Sequence, residues 1–117
     1  MKFDSVIADV KSLDDAIEVG ERIFDATTTD PEQVTGGAHR WHDSEKAVLQ
    51  TLVARVARES VAGSSPVARM KEILLLGATK FEKPLNAEER SLLSGREDDC
   101  LNPTMFNMVS RRLDKLN

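Results

Sequence analysis

His39 and His42 stand three residues apart in His39-Arg40-Trp41-His42, a spacing that puts both imidazoles on one face of a helix. With Asp43 or Glu45 as a third ligand they would begin a zinc site. Zinc needs three or four converging donors, and two histidines beside Gly36-Gly37 fit a solvated helix start, so no metal is expected. Cys100 is the only cysteine and sits among Asp98, Asp99 and Asn102. Negative neighbours raise a thiol pKa, which makes it a half-buried anchor for its loop instead of a nucleophile.

The other reactive side chains form no constellation that performs a reaction. None of the 20 acids has a catalytic spacing, and Gly36-Gly37 lacks the further glycine and lysine of the phosphate-binding fingerprints. No catalytic residue, no cofactor and no enzyme activity is assigned. Asn107, Ser110, Arg111 and Arg112 would occupy the recognition helix of a helix-turn-helix built from the last two helices. The connection from Gly95 to Asn102 is long for that motif, and residues 80–117 balance seven bases with seven acids. Phosphate neutralisation requires an excess of bases, so a nucleic-acid partner is not expected; a DNA-binding regulator is kept as an alternative.

Helices must position whatever these residues do. Phe3, Val6, Ile7, Val10, Leu13, Ile17, Ile23 and Phe24 recur at three- and four-residue spacings, which predicts one bent helix or two helices divided by a cap at Ser12. Gly20 interrupts the stripe and calls for a close helix crossing as compensation. Thr27 to Gly37 reads as the longest loop, with a single turn at Pro31 to Val34. From about Trp41 the helical spacing returns with Val48, Leu49, Leu52, Val53 and Val56, capped by Asp43 or Ser44 if Trp41 lies outside the helix, and stops at Gly63. Ser65-Pro66 starts a helix running to about Lys80. Its added Leu75 and Leu76 make it apolar on most sides, the mark of a central helix. Asn86 with Glu89 starts a short helix ending near Gly95, and Asn102-Pro103 starts the last.

The expected fold is all-α, a compact bundle of five to six short-to-medium helices in a single domain spanning residues 1–117. Aromatic residues are scarce, which leaves the core to Leu, Ile, Val, Ala and Met and favours helix over sheet. An acid at Asp4 interrupts any export signal, and the longest strongly apolar run, Ile73 to Leu76, is far too short for a membrane span. With one cysteine, the expectation is a cytoplasmic protein with no membrane partner.

The last helix carries the interaction hypothesis. Met105, Phe106, Met108, Val109, Leu113 and Leu116 spread over an arc of roughly 160°, wider than one core stripe requires. Methionine adapts to irregular partners and arginine is enriched at interface centres, so Met105, Met108, Val109, Arg112 and Leu116 are the expected protein interface. The function read from this is a small non-enzymatic regulator, an inhibitor or antagonist that binds and occludes another protein and forms a homodimer or other homo-oligomer. A second candidate surface lies in the first third, where residues 1–36 hold nine acids against three bases. Val19 and Ala26 would be small apolar spots on an acidic helix face there, suited to a toxin-neutralising or anti-defence protein that covers a basic site.

Overall fold

The computed structural model describes residues 2–28, 38–59, 65–76, 81 and 83–116, without the side chains of residues 2, 38–40 and 76. Seven α-helices and no strand occur among them: α1 (Lys2–Ala8), α2 (Leu13–Thr27), α3 (Ala38–Glu59), α4 (Pro66–Leu76), α5 (Ala87–Leu93), α6 (Glu97–Cys100) and α7 (Pro103–Asp114). The all-α bundle is as expected, with one helix more because α6 forms inside the charged segment after Gly95. The turn at 31–34, the glycine pair, the Gly63 stop and the helical stretch beyond Leu76 lie outside the described residues.

Local chemistry sets the boundaries. The Ser12 hydroxyl accepts the N–H of Asp15 at 3.1 Å, so the first segment is two helices, not one bent helix. At α4, Ser65 accepts the N–H of Ala68 while Asp4 of α1 accepts the Val67 N–H at 3.0 Å and the Ser65 hydroxyl. One carboxylate thus ties the first helix to the start of the fourth. Asn86 and Glu89 form a reciprocal capping box on α5, and Asn102 caps α7 ahead of Pro103. No such cap forms at Asp43 or Ser44, since α3 already begins at Ala38 and carries both inside it.

The central helix is α3, not α4. It touches all six others, and Ala47, Val48, Leu49, Leu52, Val53, Ala54 and Val56 are buried around it. In α4, Val67, Met70, Ile73 and Leu74 face the core while Leu75 is 70% exposed. Apolar residues all round a helix therefore mark a surface position here. Gly20 is where α2 crosses α3: a Cβ there would lie 2.5 Å from Cγ and 2.8 Å from Cα of Gln50. Only glycine fits against that backbone, which is the compensation its position in a helix requires.

Candidate functional site

Two arginine–carboxylate clusters, one toward each end of α3, hold the buried charges among the described residues. At the C-terminal end Arg55 and Glu89 are both buried, with side-chain exposures of 6% and 1%. Arg55 donates from Nε and Nη2 to the two oxygens of Glu89, each at 2.8 Å. Its other hydrogens go to backbone carbonyls, from Nη1 to Phe81 and Lys83 and from Nη2 to Pro84. Glu89 also accepts the N–H of Asn86 at 2.8 Å and Nη2 of Arg58 at 2.7 Å. Burial pushes its carboxyl up, but the Arg55 and Asn86 hydrogen bonds and the charges of Arg55 and Arg58 outweigh that and hold it below the usual 4.5.

Arg55 thereby fixes the segment that leads into α5. Phe81 adopts φ of 52°, costly for a side chain of its size by about 1–3 kcal/mol. Its ring is fully buried edge-on to Phe106 at 5.2 Å, and its carbonyl accepts from Arg55 and from the Lys83 N–H. Packing and the arginine together hold it there.

At the other end Arg112 of α7 reaches the carboxylate of Glu45 in α3, and both residues are buried. Its Nη1 donates to the hydroxyls of Thr28 at 2.9 Å and Thr27 at 3.2 Å, and its guanidinium lies 4.3 Å over the Phe24 ring. Each hydroxyl passes its own hydrogen to an α2 carbonyl: Thr27 to Ile23, Thr28 to Phe24. Lys115 donates to the Thr27 carbonyl. Arg112 of α7 and Lys115 just beyond its end therefore cap the C-terminal end of α2 from outside it.

This arrangement dismantles most of the interface expected on the last helix. Met105 and Val109 are fully buried and Arg112 is committed to Glu45, so none of the three faces a second chain. The wide arc is filled because α7 packs against α2, α3, α4 and α6 at once. Met108 and Leu116 remain half-buried, with Leu116 against the core. Of the residues assigned to a DNA-reading face, Asn107 and Arg111 are exposed, Ser110 is half-buried and Arg112 is withdrawn. Val19 is buried, and of the two small apolar spots on α2 only Ala26 lies at the surface.

The remaining candidate chemistry is engaged in the fold. Cys100 is fully buried and donates to the Ser44 carbonyl at 3.6 Å; burial, more than its acidic neighbours, pushes the thiol up to about 11. Glu45 serves Arg112, His42 packs edge-on against Phe24, and the His39 side chain lies outside the described residues. Among the described residues no three His, Cys, Asp or Glu side chains converge on a metal position. No described helix is long and apolar enough to cross a membrane.

Sequence reading missed Arg55 and Glu89 as a pair. Their only signals were a charge inside the Val53–Val56 apolar stripe and an acid at the third position of a capped helix, and nothing in either position names the other. Comparison of the chain with protein-family models, characterised proteins and solved structures found no match.

Proposed function

We propose that this chain is a small non-enzymatic regulatory protein that binds and occludes a basic surface of another protein. The observation that carries the reading is the outer face of α2, where Asp14, Glu18, Glu21 and Asp25 are all exposed at four-, three- and four-residue steps. At 1.5 Å per residue they form a row about 16 Å long. Arg22, only loosely paired with Glu18 at 3.8 Å, is the one base in the helix. Phe24, next to Asp25 in the chain, meets His42 of α3, and Trp41, which precedes His42, is 42% exposed. Tryptophan is favoured as an interface anchor, and a row of carboxylates speeds encounter with a basic partner. The acidic occluder, of the toxin-neutralising or anti-defence kind, is thus the preferred form of this reading. A cytoplasmic setting belongs to it, in keeping with a single cysteine held as a buried thiol.

The test uses a partner isolated on the wild-type protein and then rebound as a purified component. Glu18→Lys with Glu21→Lys, and separately Trp41→Ala, are each expected to weaken binding about tenfold or more, as is salt at about 0.5 M. Binding indifferent to both variants and to salt would remove the α2 face from consideration. Self-association is proposed only through Met108 and Leu116. Light scattering should then give a mass above 13.0 kDa that Met108→Glu returns to the monomer value, and a wild-type mass of 13.0 kDa at every concentration ends the proposal.

A further inference from the structure

A groove of about 520 Å³ opens between the α1–α2 turn, the second half of α3 and the start of α5. Its apolar lining comes from Val10, Leu13, Ala54 and Ala57, and its charged wall from Lys11, Arg58, Glu88 and Glu89. Arg58 also borders a second hollow of about 240 Å³ on the Lys83 side, so it stands as a ridge between the two.

Arg58 is engaged on one side only. Arg55 alone satisfies Glu89 through two parallel hydrogen bonds, and Asn86 adds a third. Arg58 is a second cation on the same carboxylate, attached by one Nη2 bond and 53% exposed. That bond orients the guanidinium and leaves most of its donors without a partner among the described residues. The lining carries two cations, Lys11 and Arg58, and two carboxylates, Glu88 and Glu89, and Glu89 is already held by Arg55 from behind. A half-exposed guanidinium thus stands beside an apolar floor.

We propose that this groove binds a small aliphatic monocarboxylate, its carboxylate on Arg58 and its hydrocarbon body along Val10, Leu13, Ala54 and Ala57. The guanidinium fork matches a carboxylate in shape and charge. A single carboxylate can engage the exposed side of Arg58, whereas a dianion would also meet Glu88 and Glu89. The apolar lining adds affinity in proportion to the surface it takes from water.

Octanoate is the probe, followed by amide NMR of the whole chain at concentrations up to about 10 mM. Saturating shifts are expected at Lys11, Ala57 and Arg58, and octanol at equal concentration should not reproduce them. Arg58→Gln should weaken octanoate binding about tenfold or more while keeping the amide fingerprint, because Glu89 retains Arg55. Lys11→Gln should weaken it by a smaller factor and serves where Arg58→Gln disturbs the fold. Absence of a saturating response, equal shifts from octanol, or unchanged affinity in both variants overturns the proposal.

Discussion

The two ends of α3 use the same chemistry to different effect. At one end Arg112 and Glu45 are buried, with two threonine hydroxyls accepting from Nη1 and the Phe24 ring lying against the guanidinium. At the other, Arg55 and Glu89 form an equally buried pair, but Arg58 is added on the solvent side and a groove opens beside it. The first cluster joins α7 to α2 and α3, and its arginine lines neither of the hollows beside Arg58. The second joins α5 and the 81–84 segment to α3 and leaves one oriented cation at the surface. A buried ion pair is thus compatible with either a purely structural role or a surface site, and the difference lies in whether a groove opens beside a partly exposed arginine.

Truncating a buried arginine is the strongest way to probe this contrast. Arg55→Ala strands Glu89 and releases three carbonyls, while Arg112→Ala strands Glu45 and releases the α2 end. Each should cost about 3–5 kcal/mol in chemical denaturation, the usual penalty for an orphaned buried charge. Arg55→Ala is expected to be the worse of the two because it also frees the strained Phe81. A loss below about 1 kcal/mol at either site would mean that its carboxylate finds another partner or water.

Acid should separate the clusters next. The Glu89 carboxyl is depressed in the folded protein, so its contribution is present above its unfolded pKa near 4.5 and is lost as pH falls through the lower folded value. Stability measured by urea denaturation is expected to decline below about pH 4.5, and Glu89→Gln should flatten that decline while lowering stability at neutral pH. A decline of unchanged steepness in Glu89→Gln would assign it to other carboxylates.

The smallest effect is expected at Arg58. More than half exposed and redundant for Glu89, its replacement by Gln should change unfolding free energy by less than about 1 kcal/mol. A loss as large as that of Arg55→Ala would make Arg58 a full member of the structural cluster and erase the distinction between the two ends.

Much of the secondary structure was legible in the sequence because helix starts are local events. Ser12, Ser65, Asn86 and Asn102 each cap a helix through a backbone N–H three residues along, a pattern written within a few positions of the chain. Gly20 was likewise readable as a crossing point, since its helix cost demands a tertiary gain. The site was not readable in the same way. Arg112 looked like an interface residue from its place on an apolar arc, yet its fate depends on Glu45, which lies 67 positions away.

The sequence by itself determined an all-α fold, where most of its helices begin, and the acidity of its first third. Only tertiary structure decided which helix is central, that Leu75 faces solvent while Met105 does not, and which arginines are neutralised. The physical reason is that an apolar stripe shows how much surface a helix seeks to bury but not against what. A charge's behaviour likewise depends on burial and on partners within a few ångströms, and these come from segments far apart in the chain.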